Sequence, residues 1–110
     1  MCMKLNRIKG THLELTDAMR SAVDRVLANL DKYAEKFGEA VAADVELEKT
    51  TRHHNKGPIF RAEINVTIPG KLLRGEATDE DLYIAIDRME EHISREIRKE
   101  KEKFTENQQS

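Results

Sequence analysis

Two stretches of the chain, residues 41–50 and 59–68, alternate apolar and polar side chains with a period of two. They are bracketed by two stretches whose apolar residues recur every three to four positions. This switch of period constrains the fold more than any other feature: period two marks a strand with one buried face, and the longer period marks a helix with one apolar side. In the first alternating stretch Val41, Ala43, Val45 and Leu47 share a face, with Ala42, Asp44, Glu46 and Glu48 on the other. In the second, Phe60, Ala62, Ile64, Val66 and Ile68 oppose Arg61, Glu63, Asn65 and Thr67. Strands that bury one side need a cover, and the helical stretches supply it.

The first helical stretch opens with Thr16 as N-cap and Asp17 in the first turn. Its apolar face is Met19, Val23, Val26, Leu27, Leu30, Ala34 and Phe37, and Gly38 is the expected stop. Ahead of it, residues 3–9 read as a strand broken by Gly10-Thr11-His12. Residues 51–58 form a polar connection, and Pro69-Gly70 marks a tight turn into a short last strand over 72–77. The closing helix is expected from about Asp79, with Thr78 as N-cap. Its stripe is Leu82, Ile86, Met89, Ile93 and Ile97, with Phe104 on the same line, and fraying is expected at residues 108–110. The order β-α-β-β-β-α predicts an α+β domain. A right-handed crossover makes the first two strands parallel, the turn makes the last two antiparallel, and both helices pack on one face of a four-stranded sheet. The chain reads as one domain, 1–104, followed by a short flexible tail, 105–110.

Charged residues make up 36% of the chain, and the net charge of −2 conceals strong local variation. The closing helix is acidic at its start, with Asp79, Glu80, Asp81, Asp87, Glu90 and Glu91 against Arg88. It is basic at its end, with Arg95, Arg98, Lys99, Lys101 and Lys103 against Glu96, Glu100 and Glu102. Both ends suit the helix dipole, and the basic end suits a polyanion. On a helical wheel Arg88, His92, Arg95, Lys99 and Lys103 form one line, read as lying roughly opposite the core stripe. The first helix has a shorter line in Arg25, Asn29, Lys32 and Lys36. Two such lines on adjacent helices would make a basic groove matched to phosphate spacing. The competing reading is a solvated face laced with intrahelical pairs such as Glu91–Arg95 and Glu100–Lys103.

Other chemistry is sparse. The single cysteine, Cys2, permits no disulfide within the chain, and neither a signal peptide nor a membrane span is readable, so a soluble, cytoplasmic protein is expected. His53-His54 lacks metal-ligand spacing and reads as part of a basic loop with Arg52 and Lys56. The acids at 79–81 read as helix capping rather than a magnesium or acid–base site. There is no phosphate-binding glycine motif and no nucleophile elbow. The expectation is therefore no enzyme, no cofactor, no metal and no small-molecule substrate. The few aromatics argue against a platform for single-stranded bases, and no helix-turn-helix is present, so a nucleic-acid partner would be structured RNA read through its shape and backbone.

The segment Glu80-Asp81-Leu82-Tyr83-Ile84-Ala85-Ile86-Asp87 resembles the E-D-M-Y-x-A-I-D motif of the ribosome hibernation promoting factors, a family that includes the ribosome-associated inhibitor and is also labelled sigma-54 modulation protein. Leu13-Glu14-Leu15-Thr16-Asp17-Ala18-Met19-Arg20 is similar to the opening of the family's first helix. His54-Asn55-Lys56-Gly57, Phe60-Arg61-Ala62-Glu63 and Leu72-Leu73-Arg74 match its middle strands. The resemblance covers about residues 4–103. It implies a β-α-β-β-β-α domain that binds the small ribosomal subunit and 16S rRNA in the mRNA and tRNA channel, inhibiting translation by occupancy in stationary phase or stress. Carried onto matching positions, Arg20, Arg25, Arg95, Lys99, Lys101 and Lys103 would neutralise phosphate, and the wheel lines add Lys32, Arg88 and His92. Asn29 and His92 stand where lysine is common in the family, so each weakens phosphate contact at neutral pH. The resemblance further implies a short form that relies on a separate ribosome modulation factor to build ribosome dimers. The alternative function is a protein–protein regulator, such as a modulator of a sigma factor.

Overall fold

The computed structural model describes residues 3–37, 41–50 and 58–109. Cys2, Gly38, His53 and His54 lie outside them, as do the side chains of Lys36 and Phe104. The order is β1 (Lys4–Thr11), α1 (Asp17–Ala34) continued by one 3-10 turn (Glu35–Phe37), β2 (Ala42–Thr50), β3 (Ile59–Ile68), β4 (Lys71–Asp79) and α2 (Leu82–Gln109). The strands form one sheet in the order β1-β2-β3-β4. β1 and β2 are parallel, while β2–β3 and β3–β4 are antiparallel. The expected architecture is thus the observed one, with both helices on one side of the sheet.

The alternation decides which side is covered. Ala43, Val45, Leu47, Ala62, Ile64, Val66 and Leu73 point under the helices and are buried. Val23, Val26, Leu27 and Leu30 of α1 meet them, as do Leu82, Ile86, Met89, Ile93 and Ile97 of α2, and together they form a single apolar core. No charged or polar residue is buried among the described residues. Gly75 lets α2 settle onto β4: a Cβ there would stand 2.9 Å from Ile93 Cβ and 3.0 Å from its backbone nitrogen. Gly70 turns the β3–β4 hairpin at φ 77°, a conformation that favours glycine.

Several boundaries differ from expectation. β1 does not break at Gly10; Gly10 and Thr11 pair with Leu47 and Glu48, and the chain turns at His12, whose φ is 58°. Ladder pairing with β2 outweighs the weak strand preference of glycine. β4 runs on to Asp79, opposite Phe60, so Thr78 is a strand residue and not a cap. α2 starts at Leu82 and its cap is Asp81, whose Oδ1 accepts from Tyr83 N at 2.8 Å and from Ile84 N at 3.4 Å. Asp79 Oδ1 in turn accepts from Asp81 N at 2.9 Å. Of the three clustered acids Asp81 is the cap, and Asp79 holds the turn that leads into it. Thr16 caps α1 as expected, accepting from Met19 N at 3.1 Å. The backbone of α2 is helical through Gln109. No helix among the described residues is long and apolar enough to cross a membrane.

Candidate nucleic-acid interface

The helices lie side by side and run in the same sense. Met19 sits with Leu82 and Tyr83 at one end, Asn29 Nδ2 donates to Glu90 Oε2 at 3.0 Å midway, and Tyr33 meets Arg98 at the other. This follows from topology: β1 and β4 are parallel, so the helices that follow them are parallel too. Their C-terminal ends therefore project together. Lys32 lies in the last turn of α1, where backbone carbonyls favour a cation, and the second half of α2, running past the end of α1, carries Arg95, Arg98, Lys99, Lys101 and Lys103.

The expected groove between two basic lines does not form as drawn. Successive residues turn about 100° around a helix, and the α2 line Arg88, His92 and Lys99 lies on the flank turned away from α1, beside the free edge of β4. His92 Nδ1 lies 3.2 Å from both the nitrogen and the oxygen of Glu76. In the tautomer without a proton at Nδ1 this nitrogen accepts from the Glu76 N–H; with a proton there it donates to the carbonyl. Arg88, His92 and Arg95 line an open notch of about 650 Å³ with Glu76, Ala77 and Glu91. Arg95 also borders a second hollow with Arg98, Ser94, Glu90 and Glu91, so it occupies the crest between the two flanks of α2. On α1, Arg25 and Lys32 border the side facing α2, whereas Arg20 falls on the opposite flank and joins neither group. The wheel gave angles but not which neighbour lay on each side.

Ion pairing separates the cations further. Lys99 pairs with Glu96 at 3.4 Å, Lys103 with Glu100 at 3.5 Å and Arg88 with Asp79 at 3.9 Å. Glu100 also takes Lys71 at 2.6 Å, and hydrogen bonding to Lys71 holds its carboxyl below the usual range. Glu91–Arg95, an expected pair, is not formed. Arg20, Arg25, Lys32, Arg95 and Arg98 are exposed and enter no ion pair among the described residues. Lys101 is partly buried and already engaged within the protein. Arg98, left out of the expected contact set, belongs with these open cations; it falls off the Arg88–Lys103 line, and the signal for it was the aromatic Tyr33 on the neighbouring helix.

On the uncovered face of the sheet the charges of β2–β4 around Arg61 are closed, whereas Lys4, Arg7 and Lys9 of β1 are exposed and enter no ion pair among the described residues. Arg61 lies among Glu76 at 2.9 Å, Glu63 at 3.1 Å, Glu48 at 3.4 Å and Glu46 at 3.8 Å. Arg74 joins Glu63 and Glu76. Hydrogen bonding to Arg61 holds the Glu76 carboxyl below the usual glutamate range, and the same bond raises Arg61. Among the described residues no cluster of three or more histidine, cysteine, aspartate or glutamate side chains fits a metal ion.

Comparison with known proteins agrees with this architecture. Residues 7–105 match the family model described as sigma 54 modulation protein / S30EA ribosomal protein. A ribosome hibernation promotion factor of Lactococcus lactis is 41% identical over 96 residues, spanning 86% of this chain and 48% of that protein. A ribosome hibernation promoting factor of Pseudomonas putida is 31% identical over 101 residues, spanning 92% and 89%. The crystal structure of the Thermus thermophilus Protein Y N-terminal domain superposes with a TM-score of 0.73 at 39% identity, over 88% of this chain and 98% of that one. The chain thus spans about half the length of the Lactococcus relative and most of the Pseudomonas one. With the family model covering residues 7–105 and the resemblance read in the sequence upheld, the chain belongs to the sigma 54 modulation protein / S30EA ribosomal protein family.

Proposed function

We propose that this domain is a ribosome hibernation factor that binds the small ribosomal subunit through the backbone of 16S rRNA and blocks translation by occupying the mRNA and tRNA channel. The observation that carries the reading is the set of exposed cations without carboxylate partners on the helical layer: Arg25, Lys32, Arg95 and Arg98, flanked by Lys99 and Lys103. Phosphate is the ligand such a set attracts, because neutralising it releases counterions at little desolvation cost. The relatives named for ribosome hibernation support the ribosome as the source of that phosphate.

The roles follow from position. Arg95 on the α2 crest and Arg25 on α1 contact backbone, and Lys99, Lys103 and Arg88 contribute less than these because each must first leave its carboxylate. His92 contributes most when protonated. Arg20, on the far flank of α1, touches only an RNA that wraps around the domain. Inhibition requires no reaction: a folded domain in the channel excludes mRNA and tRNA. The test is cosedimentation with purified small subunits over a salt series, with and without mRNA and initiator tRNA. Binding that falls with salt and is displaced by mRNA or tRNA supports the reading. No binding at low salt overturns it and moves the search to protein partners, including a sigma factor.

A further inference from the structure

Tyr33 is half-buried on the α2-facing side of α1, and two cations meet its ring. Lys32 Nζ is 5.4 Å from the ring centroid and Arg98 Cζ is 5.6 Å from it. Arg98 Nε also donates to the carbonyl of Ser94, one turn back, at 3.3 Å. The guanidinium therefore has two contacts within the protein, the Tyr33 ring and one carbonyl of its own helix. Its terminal nitrogens form no ion pair among the described residues. A guanidinium held this way presents the planar fork that matches two phosphate oxygens, and little side-chain freedom remains to be lost on binding. Of the two glutamates that line the hollow with Arg98, Glu90 accepts from Asn29 at 3.0 Å, and Glu91 forms no ion pair among the described residues.

We infer that Tyr33 is a positioning residue that holds Arg98 and Lys32 as a second phosphate clamp at the seam between the helices, across the α2 crest from the notch of Arg88, His92 and Arg95. The inference rests on the proposed RNA-binding function and deepens it. With cations on both flanks of one helix, α2 lies as a ridge between two backbone segments, spaced by about the 10 Å width of a helix. The RNA that fits is structured, with two backbones close together, rather than a single strand.

The test measures affinity for purified small subunits against salt for the full chain and its variants, with thermal midpoints as the control for folding. Arg98→Ala lowers the slope of log K against log salt by about 0.7–0.9, the loss of one phosphate contact. Arg98→Lys keeps the slope but weakens binding about two- to fivefold, because an ammonium neither forks nor lies flat on the ring. Tyr33→Leu gives the same weakening at unchanged slope, Tyr33→Phe binds as the native chain does, and Tyr33→Leu costs less once Arg98 is alanine, the remainder being its hold on Lys32. If Tyr33→Leu melts early, the Arg98→Lys and Tyr33→Phe pair decides. Arg25→Glu with Arg95→Glu is the reference variant. If it weakens binding while Arg98→Ala leaves affinity and slope unchanged, the clamp is wrong and the wider reading stands. If the reference variant also binds normally, the wider reading fails with it.

Discussion

The Arg61 cluster on the outer face of β2–β4 and the exposed surface of the helices are both crowded with charge, yet only the helical surface has charge to offer. On the sheet, Arg61 and Arg74 are surrounded by Glu46, Glu48, Glu63 and Glu76, and each charge is answered within the domain. On the helices, Arg25, Arg95 and Arg98 stand in solvent with no carboxylate partner among the described residues. The difference comes from backbone geometry. Paired strands place Glu46 opposite Glu63, and Glu63 opposite Glu76, so acids from three strands converge beside the arginine between them. Helices splay their side chains, and a cation finds a partner where an acid falls three or four positions away, as for Lys99 and Lys103, or at the end of a neighbouring strand, as for Arg88. Net charge is therefore a poor guide to a binding face, and pairing is a better one.

Removing the support common to both surfaces has the largest effect. Ile86 is buried beneath α2, and Ile86→Asp is expected to cost about 4 kcal/mol or more, unfolding the domain and abolishing binding together. A folded, stable variant, judged by circular dichroism and urea titration, would mean that the core is misplaced. Next, Arg25→Glu with Arg95→Glu separates the two surfaces. Binding to small subunits should fall by about a hundredfold or more at moderate salt, while the thermal midpoint hardly moves because both residues lie off the core.

The sheet should respond in the opposite sense. Arg61→Ala leaves a cluster of glutamates with Arg74 alone. Because the Arg61 side chain is 21% exposed, the stability loss is about 1–2 kcal/mol rather than that of a fully buried pair. Urea unfolding measures this, and RNA affinity of the folded protein should stay within about twofold if the sheet face makes no contact. The smallest effect is acid-dependent. Glu76 titrates below its unfolded value, so the stability it contributes is complete above the ordinary glutamate range and is lost as pH falls through the lower folded value. Glu76→Gln should lower neutral-pH stability by under about 1 kcal/mol and flatten that acid decline. An unchanged decline would place the acid sensitivity elsewhere, for example at Glu100 beside Lys71.

Much of the fold was legible because the helices cover only one side of the sheet. Parity then had to be kept through Val41, Ala43, Val45 and Leu47 and again from Ala62 to Ile68. The errors lay where distant pairing overrides local chemistry. Thr78, Asp79 and Asp81 can all cap a helix, and the choice fell to Asp81 only because β4 stays paired with β3 as far as Asp79. Gly10 was drawn into β1 in the same way. For the site, the cationic residues were legible but their neighbours were not. A wheel cannot tell that His92 reaches β4 or that Arg98 lies on Tyr33. The contrast between Arg88, held by Asp79, and the unpaired Arg95 was likewise invisible, since Asp79 was expected within the helix rather than at the end of a strand.

The most direct measurement is the salt slope of small-subunit binding for the native chain, Arg95→Ala and Arg88→Ala. The account predicts that Arg95→Ala lowers the slope by about 0.7–0.9 and weakens binding, whereas Arg88→Ala changes both by much less. Equal effects of the two substitutions, or a native slope near zero, would contradict the claim that unpaired cations of the helical layer hold the RNA.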